Sequence, residues 1–205
     1  NHTDYSNLRL RDAIIKTEDL LWHAAELGHE VVGITEHESL SNHVKAEKIY
    51  REVKKKYPNF KLIRGNEIYL CRNGLNANNF NREYDRYYHC VLLAKDAIGH
   101  QQIREISTRA WRRSYMARGM RRVPTYYQDL IDVIGENRGH VIGTTACLGG
   151  ELSSTITALN MAEACFDVTG AREHHEHIVN FVLWCKELFG DDFYFEIAPG
   201  KSKDQ

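Results

Sequence analysis

The sequence lacks paired cysteines. Its five cysteines, spread over 205 residues, include no Cys-x-x-Cys pair. That excludes a disulfide framework and a closed zinc knuckle, and it points to a reducing compartment, read here as the cytoplasm. Long apolar runs are missing too. Nothing approaches the roughly 18 residues of a membrane span, and no signal peptide opens the chain, so no membrane partner is expected. Asn1-His2-Thr3 fits a glycosylation sequon but is discounted without a secretory signal. Excess charge is absent: the formal net charge is −1. This argues against a protein that coats nucleic acid, although a local basic patch remains open. There is no Gly-rich phosphate loop, no Gly-x-Ser-x-Gly and no Cys-His nucleophile arrangement. Repeats, low-complexity segments and linkers are also absent. With 42% hydrophobic residues, the chain reads as one domain over 1–205, burying about 70% of its unfolded surface. Nothing in it fixes an oligomeric state.

What is present is an alternation of short apolar runs with amphipathic ones. Val31 to Thr35 reads as a buried strand that ends abruptly in Glu36-His37. A helix precedes it from Thr17, with Leu20, Leu21, Ala24, Ala25 and Leu27 inward, stopped by Gly28. Ser39 to Tyr57 reads as a second helix with Val44, Ile49 and Val53 inward, ended by Pro58. Phe60 to Leu70 is a strand containing Glu67, and Cys71 to Asp85 a loop or hairpin tip whose Asn76 to Asn81 stretch is polar. Tyr87 to Ala94 is a strand with His89 near its start. Ile98 to Tyr115 is a basic helix, Pro124 opens another through Ile134, and His140 to Thr144 is a short strand leading to Cys147. Helices near 157–169 and 173–189 precede a last strand, Asp192 to Ile197. Strands alternating with helices predict parallel pairing with right-handed crossovers, hence an α/β sheet or barrel.

In such folds, ligands sit beyond the carboxyl ends of strands. Glu36-His37 therefore either hands ligands to a site or, with Glu38 and Ser39, caps the next helix. His2, Glu36, His37, Glu67, His89 and Cys147 are ligand types for zinc, or for manganese or iron where oxygen and nitrogen dominate. Taken singly, His89 or Cys147 reads as a core residue. Spread over successive strands, the set suggests a metal site at a barrel mouth with open positions for water.

Two other stretches are polar enough to consider. The run from Arg104 to Arg122 holds seven arginines with Glu105 the only acid, and Trp111 and Tyr115 interleave with them. Arg112, Arg113 and Arg118 are candidates for DNA contact; the alternatives are a solvated helix face or a docking surface. Glu173-His174-His175-Glu176-His177 lacks the His-x-x-x-His spacing that puts two rings on one face, and reads as a solvated helix start. His43 and His100 read as surface or packing residues, and Trp22 and Trp184 as core.

The order of these pieces resembles the PHP (polymerase and histidinol phosphatase) domain, most closely that of bacterial and phage C-family replicative polymerases, the DNA polymerase III alpha type. The match is carried by His2-Thr-Asp-Tyr-Ser6 with Asp12, Gly33-Ile-Thr-Glu-His37, Gly65-Asn-Glu67, His89 before Val-Leu-Leu-Ala-Lys95, and Ala146-Cys-Leu-Gly-Gly-Glu151. The resemblance implies a distorted seven-stranded (β/α) barrel holding up to three divalent ions, zinc, manganese or iron. It implies His2, Asp12, His37, Glu67, His89 and Cys147 as ligands, with Glu67 shared between two ions, and Glu36 placed behind His37 to orient it. Glu67 and His37 would be central to catalysis. Asp12 falls about three residues later than usual. The family pattern runs past both ends of this sequence, with a His before His2 and a final Asp-x-His after Gln205. That predicts a domain trimmed at both ends, short of up to three ligands. The implied chemistry is metal-dependent phosphoester hydrolysis, as a 3′–5′ exonuclease, with DNA and the remainder of a replicative polymerase as partners. An inert scaffold within the polymerase and a stand-alone histidinol-phosphatase-like enzyme are the alternatives.

Overall fold

The computed structural model describes residues 1–71, 87–117 and 119–197. The loop expected at 71–85 falls almost entirely outside them, as do Arg118 and the C-terminal stretch from 198 to 205. The longest strand, β2 (Lys61–Cys71), is the spine of the sheet. One edge pairs antiparallel with β3 (Tyr88–Ala94). The other edge is shared end to end. β1 (Val31–Ile34) lies parallel along its first half, and Pro124–Tyr126 parallel along its last residues. Between these two the ladder continues as a single bridge, His37 to Glu67.

Helices fill the connections. α1 (Thr17–Glu26) precedes β1, α2 (His43–Lys56) joins β1 to β2, and α3 (Ala97–Arg112) follows β3. A small hairpin, β4 (Tyr115–Ala117) with β5 (Met120–Arg122), leads to β6 (Pro124–Tyr126). α4 (Tyr127–Gly135) precedes β7 (Val141–Thr144), and α5 (Glu151–Ala164) and α6 (Val168–Phe189) lead to β8 (Phe193–Tyr194).

The main sheet runs β1-β2-β3-β7-β8 with β6 added beside β2, six strands among the described residues. It does not close on itself there, so the structure is a mixed α/β sheet compatible with the expected barrel rather than a closed seven-stranded one. The expectation of uniformly parallel strands is corrected. β3 runs antiparallel to both β2 and β7. The sequence predicts no helix between β2 and β3, and parallel strands need a crossover connection, usually helical, that antiparallel strands do not.

Period-two alternation then assigns the faces. Ile68 and Leu70 of β2, and Cys90 and Leu92 of β3, join Ile103, Ile106, Leu130, Ile134, Leu188 and Phe189 in one core beneath α3, α4 and α6. Glu67, Tyr69 and His89 are thereby directed to the opposite face. A second core packs Leu21, Ala24 and Ala25 of α1 and Ala46 and Val53 of α2 against Val32, Ile34 and Leu62. Trp22 and Trp184 pack at the margins of these two cores.

Several boundaries move for identifiable reasons. α2 starts at His43 rather than Ser39, because Asn42 spends its amide on the N-terminal segment and Ser39 folds back on Ser41. Val44 is exposed rather than inward, and so is Leu27. Pro124 opens a strand, not a helix. It is the first residue of β6, where a missing N–H costs least. α5 begins at Glu151, well before 157; the Thr155 and Thr157 hydroxyls bond back to the carbonyls four residues earlier, inside the helix. α6 begins at Val168, where Asp167 accepts from Gly170 N, so the His174 to His177 segment is helix interior rather than helix start. β8 is shorter than expected, ending at Tyr194.

Candidate metal centre

β1 ends at Ile34, and the chain then turns through Thr35-Glu36-His37-Glu38 against β2. Glu38 N donates to Glu67 O at 2.8 Å and Glu67 N to Glu36 O at 3.2 Å. The Asn66 amide donates to Glu36 O at 2.8 Å. These bonds fix His37 beside Glu67 on the face of β2 opposite the core under α3, α4 and α6. Glu38 adopts φ 52°, in the left-handed region that non-glycine residues avoid at a cost of about 1–3 kcal/mol. Ala146, directly before Cys147, sits at φ 55°. Glu38 and Ala146 each adjoin a candidate ligand; Phe166, at φ 58°, does not.

His2 Nε2 stands 3.0 Å from Glu67 Oε2, and His89 Nδ1 stands 2.8 Å from Glu67 Oε1. His37 Nδ1 is 3.6 Å from Oε1. The rings of His2 and His37 stack with centroids 4.0 Å apart. On the far side, Cys147 Sγ is 3.3 Å from His89 Nδ1. His2, His37 and Glu67 offer ligand atoms all within 4.8 Å of one another, and so do Glu67, His89 and Cys147. Glu67 belongs to both groups. Asp12 is in neither; it reaches the cluster through His37, with Oδ2 2.8 Å from Nε2.

The turn after β7 delivers Cys147. His89 N donates to Gly149 O at 3.0 Å, and Gly150 N to Cys147 O at 2.8 Å. A Cβ on Gly150 would lie 2.0 Å from Thr145 O, so no side chain fits without moving backbone. At Gly149 a Cβ would lie 3.2 Å from three atoms of the His89 imidazole. The Cys-Leu-Gly-Gly sequence is thus what allows thiol and imidazole to meet.

The ionisation pattern suits cation binding. Burial opposes charge on Glu67, but hydrogen bonds with His2 and His89 outweigh it and hold the carboxyl down at about 2. His89 also loses by burial, yet its bonds to Cys147 and Glu67 raise it to about 9. The Cys147 thiol is drawn below its ordinary value chiefly by His89. Burial lowers His37. Nitrogen, carboxylate oxygen and a thiol poised to ionise converge here, which is a donor set for divalent metals.

Glu36 is fully buried. Its carboxylate accepts from Thr3 N at 2.9 Å, from the Asn42 amide at 2.8 Å, and from the Thr3 and Ser6 hydroxyls. Burial works against its charge, and these bonds lower its pKa all the same. Ser6 Oγ in turn accepts from His37 N at 3.1 Å and lies 3.2 Å from His2 Nδ1. Glu36 therefore ties the N-terminal segment carrying His2 to the turn carrying His37.

Tyr69 and Arg9 were not among the candidates. The Tyr69 hydroxyl lies 3.2 Å from His37 Nδ1, and its ring stacks on His89 at 4.6 Å. Position parity with Glu67 on β2 was the signal available. Arg9 Nε pairs with the buried Glu38 carboxyl, whose burial pushes it up to about 8 despite that pair. Neither residue type nor spacing marked Arg9.

The remaining candidates lie elsewhere. Arg113 is bound to Asp129, with Nη2 2.7 Å from Oδ1. Arg109 pairs with Glu105 and Asp132, so part of the basic run is neutralised. Arg112 faces a surface cleft, and Arg118 lies outside the described residues. His177 Nε2 meets the buried Glu151 at 2.8 Å. His43 packs on His100 at 2.9 Å and on Gly65 O at 3.0 Å. All five cysteines are free. Among the described residues no helix is long and apolar enough to cross a membrane.

The family model of the PHP domain matches residues 1–199. The chain belongs to the PHP domain family. This PHP domain is 37% identical over 209 residues to a probable DNA polymerase, YorL, of Bacillus subtilis, and equally so to a DNA-directed DNA polymerase of Bacillus phage SPbeta. It is 27% identical over 208 residues to DNA polymerase III subunit alpha of Borreliella burgdorferi. All of the PHP domain is covered in each case, but only 16%, 16% and 15% of those proteins. The chain thus spans about a sixth of the length of these curated relatives.

Proposed function

We propose that this PHP domain is part of a DNA polymerase III alpha-like replicative polymerase and acts there as a metal-dependent phosphoesterase, a 3′–5′ exonuclease on DNA. The observation that carries the reading is Glu67, one carboxylate common to two ligand groups. Paired cations with a shared carboxylate are suited to gripping a phosphodiester. His2 and His37 with Glu67 would hold one ion, His89 and Cys147 with Glu67 another. The sulfur side suits zinc, and the nitrogen–oxygen side manganese or iron. When bound, such ions acidify water and neutralise charge on phosphoryl oxygens.

The chain's own groups prepare that state. Glu67 is ionised throughout the neutral range. His89 carries a proton that it must give up on loading, so metal uptake releases protons. Asp12 and Tyr69 hold the His37 ring from its two nitrogens. The domain would work in the cytoplasm, with DNA and the rest of the polymerase as partners; its polymerase relatives motivate this.

The test is removal of the 3′-terminal nucleotide from a labelled oligodeoxynucleotide by the manganese- or zinc-loaded chain, beside a phosphomonoester panel. Stepwise 3′ shortening that disappears in Glu67→Ala supports the proposal. A metal-loaded chain inert toward DNA would favour a scaffold role. Activity confined to small phosphomonoesters would favour the histidinol-phosphatase-like reading.

A further inference from the structure

A cleft of about 710 Å³ opens between α3 and the turn that carries His37. One wall is a single face of α3, where Arg104, Ser107, Thr108, Trp111 and Arg112 recur at helical spacing. The other wall is Ser39-Leu40-Ser41 together with Leu8. The cleft and the metal centre share a segment: His37 lies two residues before Ser39, and the Trp111 indole N–H donates to Glu38 O at 2.6 Å. That bond fixes the indole while leaving the residue about 37% exposed, and Leu8 beside it is 69% exposed.

The charges at this cleft differ from those on the rest of α3. Arg109 is occupied by Glu105 and Asp132, and Arg113 by Asp129. Arg104 and Arg112 are exposed, and among the described residues neither guanidinium meets an acid. Among the described residues no acidic side chain lines the cleft. A fixed aromatic and an exposed leucine, flanked by two uncommitted guanidinium groups and hydroxyls, complement alternating bases and phosphates. A base stacks on an aromatic only when it is out of a duplex.

We propose that this cleft is a binding track for single-stranded DNA leading to the metal centre, with Trp111 stacking a base and Arg104 and Arg112 taking backbone phosphates. The direction of the strand toward the centre rests on the phosphodiesterase reading; binding in the cleft does not.

The test is fluorescence anisotropy of a labelled oligo-dT with the 205-residue chain in EDTA, so that the metal centre does not contribute. Trp111→Ala should weaken binding about 5- to 100-fold, the range for loss of one stacked base. Trp111→Phe, which keeps a ring without the indole N–H, should retain most of the affinity. Arg104→Glu with Arg112→Glu should reduce the slope of log affinity against log salt by about 1.4, two phosphate contacts on a single strand. Thermal melts identify any variant that fails to fold, and if Trp111→Ala is one of them the double charge reversal carries the test. Affinity unchanged by Trp111→Ala and by the double charge reversal would overturn the track, and so would equal binding of a duplex. Persistent binding in EDTA with no hydrolysis under any metal would leave the track standing and remove the phosphodiesterase reading. Hydrolysis whose KM ignores all three residues would do the reverse.

Discussion

The two sides of Glu67 are built differently. Toward the N-terminus, His37 is buried and held by Asp12 and Tyr69, and His2 is stacked on it. Toward β7, Cys147 is exposed and shares a proton-rich contact with a half-buried His89. One side is nitrogen and oxygen in a fixed frame. The other is sulfur and nitrogen on a glycine turn. A single carboxylate joins unlike donor pairs, and the two pairs differ in the metal they would favour.

Glu67→Ala should have the largest effect, because it removes a ligand from both sides. Metal affinity measured by competition with a chromogenic chelator should fall at least about 100-fold at both, exceeding the loss typical of outer partners. If only one ion is lost, the shared role is wrong. Cys147→Ser should split the sides. Zinc binding should drop about 10- to 100-fold while manganese binding is little changed, since sulfur selects the softer ion. An equal loss of both metals would erase the distinction.

Proton occupancy sharpens the contrast in the metal-free protein. His89 is raised, so its contribution to stability is present below the ordinary value of 6.5 and is lost as pH rises through about 9. His37 is lowered, so its contribution is present above 6.5 and is lost as pH falls below that. Imidazole signals in an NMR titration should show His89 protonated and His37 neutral between 6.5 and about 9. Both rings titrating together would contradict the two-sided picture. Tyr69→Phe is the mildest change, removing one hydroxyl from His37 Nδ1. Because that nitrogen also faces Glu67, the hydroxyl both orients the ring and competes with an ion, and manganese affinity should change by no more than about 10-fold, with zinc nearly unaltered. His174→Ala with His175→Ala should leave both metals bound as before.

Much of the centre was legible because chemistry-bearing residues cap the apolar runs. Glu36-His37 closes one strand, Cys147 follows another, and Glu67 and His89 interrupt two more. Strand parity then fixes which face they share. Less legible were features set by partners far along the chain. Nothing local marks Arg9 as the counter-charge of Glu38, or Glu36 as the anchor of Thr3 and Ser6. The reversal of β3 follows from the lack of an expected helix before it, a signal outweighed by the strand–helix alternation of α1, β1, α2 and β2. The starts of α5 and α6 are hard to read where Ser, Thr and His carry weak helical preference, and burial of Glu151 and Thr155 and the Asp167 cap override it. Trp111 was noticed as part of a basic run, but its bond to Glu38 O, which ties that run to the centre, depends on the tertiary fold.

Anomalous diffraction at the zinc and manganese edges, from crystals soaked in both metals, tests the central claim most directly. Two scattering centres that share Glu67, one beside His2 and His37 and one beside His89 and Cys147, are the predicted result. Centres that leave Glu67 uncoordinated, or that gather at His174 to His177, would contradict it.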